Sequence, residues 1–251
     1  MGFRKKVILL MTLLLCAPAM LAWFYFNASN GERMQWIFGS SCNTASRPLR
    51  IVVDSDTPAA FQTKLTESGG VIEQWNNPAG TFINLLDTTI DTATMDASAI
   101  AEFSRSPTTN RMWIAYDSTG ELIAAQGIDP GTVLGVAFPL TPNASRPQDI
   151  CAAIIIINGA RISTTFATPA LGYKKTVLHE VGHALGFAHS VAGANGTTHS
   201  LVQINDGTFT GDASKLPVMF PFSLDGTDGN SANPETLNAD DQAAAITVYG
   251  Q

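Results

Sequence analysis

Eleven consecutive residues constrain this chain more than any other stretch: His179-Glu180-Val181-Gly182-His183-Ala184-Leu185-Gly186-Phe187-Ala188-His189. His179 and His183 stand four apart, and on a helix that spacing projects both side chains from one face. Two imidazoles so placed can reach one Zn2+ at about 2.0–2.1 Å. Glu180 follows the first of them and can point at the open position of such a metal, where it takes a proton from water. Gly186 lies three residues past His183. Glycine tolerates a positive φ, so it can end the helix and turn the chain. That turn brings His189 round as a third ligand. Three protein ligands with one position left open is the pattern of a catalytic zinc; a structural site fills all four. The chain has only four histidines, and three fall in this segment. The fourth, His199, reads as a solvated loop residue.

Composition narrows the rest. The 251 residues suit one domain of ordinary size plus an export segment, and 45% apolar content is enough for a sizeable core. Net charge is −7 with only 14% charged residues. That excludes nucleic acid as a partner, since displacing counterions from phosphates needs a basic surface.

The N-terminus reads as an export signal. Arg4, Lys5 and Lys6 precede an apolar run, and Ala17-Pro18-Ala19 offers a small-residue cleavage site. The apolar stretch continues to Phe26, so residues 7–26 also have the length of an uncleaved membrane anchor; Pro18 fits such a helix poorly. Either way the domain would be secreted or held at the cell envelope, in an oxidising compartment. Cys42 and Cys151 remain after cleavage, and a disulfide between them is the expectation set against two buried thiols. The expected divisions are residues 1–26 as signal or anchor, 27–47 as an N-terminal arm, and 48–251 as the catalytic domain.

Along the domain, residues 49–53 read as a strand and 58–77 as a helix with Phe61, Leu65, Ile72 and Trp75 inward, weakened at Gly69-Gly70. Strands are expected over 81–86, 111–116, 133–140 and 152–157, the last with four consecutive isoleucines, as a strand buried on both faces has. Asp96 can cap a short helix through Phe103. Helices over 174–186 and 238–249 flank a long polar loop at 190–216. The order, strands with one long helix first and then two helices, suits a single α+β domain.

The segment 179–189 resembles the metzincin metallopeptidases. Val218-Met219-Phe220-Pro221 is similar to their methionine turn, which implies Met219 as an apolar floor under the metal. Among metzincins the chain most resembles matrixins. Ser190 after the third histidine is similar, and so is the ending Leu237-Asn238-Ala239-Asp240-Asp241. By that resemblance Asp240 or Asp241 braces the Met219 turn; the alternative is acidic charge at a helix start, favourable to its dipole. Leu134, Gly135, Val136 and Ala137 resemble the edge strand along which a peptide substrate lies, adding as a further strand. The resemblance implies a zincin/metzincin-like α+β fold, with a mixed twisted sheet of about five strands, an active-site helix and a C-terminal helix. It implies a zinc-dependent endopeptidase acting on protein or peptide substrates. The alternatives are an exported zinc-binding protein without peptidase activity, and a zinc hydrolase of non-peptide bonds.

The chain also departs from that pattern. No histidine precedes His179, and Val136 stands where matrixins place a ligand of a second, structural zinc. One catalytic Zn2+ is therefore expected. No matrixin-type cysteine-switch propeptide is present. Phe220 and Phe222 offer no phenolic ligand. Asp225, Asp228, Asn230 and Asp117 carry oxygens of the kind Ca2+ takes, and read first as turn residues.

Overall fold

The fold is that of a computed structural model, which describes residues 26–36, 48–76, 85–108, 110–189, 218–219 and 236–249. Strands β1 (Gln35–Trp36), β2 (Leu49–Asp54), β3 (Leu86–Ala93), β4 (Arg111–Asp117), β5 (Gly135–Leu140), β6 (Asp149–Ile150) and β7 (Ala152–Asn158) alternate with helices. The helices are α1 (Ala59–Thr66), α2 (Val71–Asn76), α3 (Ala97–Arg105), α4 (Glu121–Ala125), α5 (Gly159–Thr165), α6 (Pro169–Ala184) and α7 (Ala239–Tyr249). This is an α+β architecture with a mixed sheet ordered β3-β2-β4-β7-β5. The first four of these strands run parallel, and β5 pairs antiparallel with β7. A separate parallel pair joins β1 to β6.

The isoleucine run explains the position of β7. All seven of its residues are buried, and strand geometry sends alternate side chains to opposite faces. Ala153, Ile155 and Ile157 enter one core with Phe61, Trp75, Tyr173 and Val181 from the helices. Ala152, Ile154 and Ile156 enter the other with Ile100, Phe103 and Ile123. A strand apolar on both sides has to be interior, so β7 sits between β4 and β5.

Two expected elements differ. The helix expected over 58–77 is two helices, because α1 stops at Thr66 and the chain reverses through Gly69 at φ +69°. Phe61, Leu65, Ile72 and Trp75 are nevertheless all buried. Of the strand expected over 81–86, residues 81–84 lie outside the described set, and the described strand runs from Leu86 to Ala93. It is a sheet-edge strand in which five of eight residues are Asp or Thr and only Leu86 is buried, a character that apolar content does not announce. Asp96 caps α3 as expected, its Oδ1 accepting from Ala99 N–H at 2.8 Å.

Residues 26–36 of the arm pack on the domain, and Trp36 joins the main core. Residues 1–25, Cys42, Ser190, the loop 190–216, Phe220, Phe222 and the stretch carrying Asp225, Asp228 and Asn230 lie outside the described residues. Among the described residues no helix is long and apolar enough to cross a membrane. Cys151 is disulfide-bonded.

Candidate metal centre

Helix α6 carries the first two histidines. Proline at its first position suits the start of a helix, where no N–H is needed. Twelve of its sixteen residues are buried, so it is a central helix with one polar face, the face bearing His179 and His183. Its end is a Schellman turn: Phe187 N–H donates to Gly182 O at 3.0 Å and Gly186 N–H to His183 O at 2.9 Å. Gly186 holds φ +97°, and a Cβ there would also lie 2.6 Å from Met34 O. Glycine is required on both counts, and the reversal returns the chain toward the helix face.

The result is convergence of three imidazoles. His189 Nε2 lies 3.3 Å from His179 Nε2 and 3.0 Å from His183 Nε2. The nitrogens of all three fall within 4.8 Å of one another. His179 Nδ1 is 2.6 Å from Val218 O, and His183 Nδ1 is 2.7 Å from Phe187 O. A carbonyl can only accept, so both Nδ1 atoms carry the proton and both Nε2 atoms present lone pairs inward. A proton on His189 Nε2 could serve only one of these two acceptors, whereas a cation between the rings would satisfy both. Ligands at tetrahedral angles and zinc–nitrogen distances would stand about 3.3–3.4 Å apart, close to the spacings found. The residues therefore fit a metal ion.

Electrostatics favour the same state. Burial, then the neighbouring His183 and His189, holds His179 well below the ordinary imidazole range against the opposing pull of Val218 O. His183 is pushed down to about 4, by burial first and His189 second, and His189 is lowered by burial. All three are thus neutral at pH 7, as metal ligands must be. Glu180 is buried, which raises its carboxyl to about 8. Its Oε2 finds no hydrogen-bond partner.

Glu180 lies against the edge strand. A Cβ on Gly135 would meet Glu180 Cγ at 3.0 Å, Glu180 Oε1 at 3.2 Å and Thr176 Cγ2 at 3.0 Å. Gly135, Val136 and Ala137 pair with Ile157, Ile156 and Ile155, and no described strand pairs with the other side of β5. Leu134 precedes the strand, its carbonyl accepting from Asn158 N–H at 2.8 Å.

Met219 is buried beneath α6, and a Cβ on Gly182 would lie 2.2 Å from its Sδ. Of the two candidate acids it is Asp241 that reaches this turn. Its Oδ2 accepts from Val218 N–H at 2.8 Å and its Oδ1 from Met219 N–H at 3.2 Å. The side chain of Asp240 lies outside the described set. Asp117 has a turn role: Oδ1 accepts from Gly120 N–H at 2.7 Å and Oδ2 from Ile123 N–H at 2.9 Å.

Sequence reasoning missed three contributors. Val218 and Phe187 act through backbone carbonyls, which leave no mark in residue type. Gly182 was visible only as a letter of the motif. Its signal would have been a glycine inside a buried helix, which costs about 1 kcal/mol against alanine and calls for a packing reason.

No family model matches the chain, and no curated protein does. Among solved structures, that of myroilysin aligns with 86% of this chain and 91% of its own, at 15% identity and a TM-score of 0.32. A likeness at that TM-score bears neither on family nor on chemistry.

Proposed function

We propose that this protein is a zinc-dependent endopeptidase of the metzincin type, most similar to matrixins, with Zn2+ held by His179, His183 and His189. The observation that carries it is the trio of convergent Nε2 atoms; Glu180, next to His179 in sequence, is buried and its Oε2 has no partner. Zinc, when bound, lowers the pKa of a water and polarises a peptide carbonyl. Glu180 would be the general base, taking a proton from the attacking water and giving one to the leaving amine. The side of β5 from Gly135 through Ala137 with which no described strand pairs offers backbone N–H and C=O groups to an extended peptide, so protein or peptide chains are the substrate class. Met219 and Asp241 form and brace the floor. The N-terminal segment serves export, giving a secreted or envelope-held enzyme, and Cys151 pairs with Cys42.

Metal analysis of the purified protein, wild type beside His183→Ala, with casein cleavage in the same samples, tests this. About one zinc per chain and chelator-sensitive cleavage, both lost in the variant, is the expected result. Folded protein without zinc, never exposed to chelator, overturns it. Zinc with no cleavage of casein or peptide libraries, or turnover of esters alone, would replace peptidase with one of the other two zinc functions.

A further inference from the structure

Helix α6 leaves a run of carbonyls to be satisfied beyond its Schellman turn. The last four C=O groups of a helix lack intrahelical partners and must find others when buried. The two that the Schellman turn leaves open, Ala184 and Leu185, and the next carbonyl, Gly186, are taken by donors from the two ends of the described chain. Trp36 Nε1–H donates to Ala184 O at 2.8 Å. The Tyr249 hydroxyl donates to Leu185 O at 2.5 Å and accepts from Trp36 backbone N–H at 3.2 Å. Phe26 N–H donates to Gly186 O at 3.0 Å. Met34 O presses on Gly186 where a Cβ would stand, and the Phe26 ring lies 5.5 Å from that of His183. Trp36 and Tyr249 are both buried.

This turn governs His189 more than the other ligands. His179 and His183 stand on the helix, and each is oriented by a carbonyl on Nδ1. His189 is the most exposed of the three, with its Nε2 edge turned in against the other two imidazoles, and among the described residues no carbonyl accepts from its Nδ1. Its aim therefore depends on the backbone of the turn that precedes it.

From this we infer that Trp36 and Tyr249, linked through the tyrosine hydroxyl, are positioning residues of the metal centre, clamping residues 184–186 so that His189 completes the site. The inference rests on the three histidines holding zinc. It also places the arm segment 26–36 inside the metal-binding unit, upstream of the domain start expected at residue 48.

The test is zinc affinity by chelator competition on the full chain. Tyr249→Phe removes one hydroxyl at nearly constant shape; Trp36→Phe removes the indole N–H and carries the test if the first variant does not fold. Each is made in the wild-type and the His189→Ala backgrounds. Loss of an outer-shell partner costs a metal site about 10–100-fold in affinity, so roughly tenfold weaker binding is expected, vanishing when His189 is already absent. Affinity within about twofold of wild type, or an equal loss in both backgrounds, overturns the clamp while leaving the zinc site standing. A wild-type protein that binds no zinc overturns the metal assignment, and the clamp with it.

Discussion

The Asp241 carboxylate accepts the backbone N–H of Val218 at 2.8 Å, and the carbonyl of that same Val218 receives Nδ1–H of His179 at 2.6 Å. One peptide residue thus passes the hold of the C-terminal helix to a metal ligand. Asp241→Ala would strand the N–H groups of Val218, Met219 and Asn238, all of which its carboxylate serves. Unmet buried donors and charged hydrogen bonds of this kind are worth about 2–4 kcal/mol in sum. Chemical denaturation should show that loss, and chelator competition a weaker zinc site. Asp240→Ala should leave zinc binding at the wild-type level; an equal effect from both acids would refute the assignment to Asp241.

Gly182→Ala should destabilise, although alanine is the better helix former by about 1 kcal/mol. The new methyl would sit 2.2 Å from Met219 Sδ and 3.0 Å from Trp75 Cζ2, and overpacking a filled core costs about 1–3 kcal/mol. Shortening the partner relieves the clash, so the penalty should shrink in a Met219→Ala background. A penalty that is the same in both backgrounds would place the strain elsewhere.

Chelation should lower the melting temperature. The inward lone pairs of His179 and His183 lose their shared partner once a bound cation is removed. A ligand bound only by the native state stabilises it by about 4 kcal/mol at a thousand times its Kd. Calorimetry with and without chelator reads the difference directly. His183→Ala should melt at nearly the same temperature in both conditions, and a shift that survives in this variant would point to a different metal site.

Asp54 supplies a pH dependence away from the metal. Burial raises its carboxyl above the ordinary value of 3.8, against hydrogen bonds from the Asp56 and Tyr116 N–H groups. The unfolded chain therefore releases this proton first as pH rises. Above 3.8 the native state binds more protons than the unfolded one, so this group's contribution falls with rising pH until its native pKa is passed, then stays level. Asp54→Asn should remove that component from the stability profile measured by urea unfolding across the acid range. An unchanged slope would mean that the carboxyl titrates alike in both states.

Much of the architecture was legible because it is written in local periodicity. The isoleucines of β7, the Asp96 cap and the histidine spacing on α6 each state their structure within a few residues. The break at Gly69 was foreseen as a weakness, but whether one helix bends or two form depends on what each half packs against. Strand β3 was not foreseen because a polar edge strand owes its place to backbone pairing with β2, which side-chain character does not announce.

The same division runs through the candidate site. The sequence alone singled out the residues proposed to carry the chemistry: two histidines one helical turn apart, a glutamate between them, and a glycine able to reverse the chain toward a third histidine. Those relations are set by the geometry of one helix and one turn, so residue type and spacing suffice. Only the tertiary structure decided between Asp240 and Asp241, put Val218 and Phe187 behind the imidazoles, and brought Trp36 and Tyr249 to the open carbonyls of the ligand turn. Those partners are mostly backbone groups, which every residue possesses, and they meet across long stretches of chain. Packing selects them, and no spacing along the sequence encodes them.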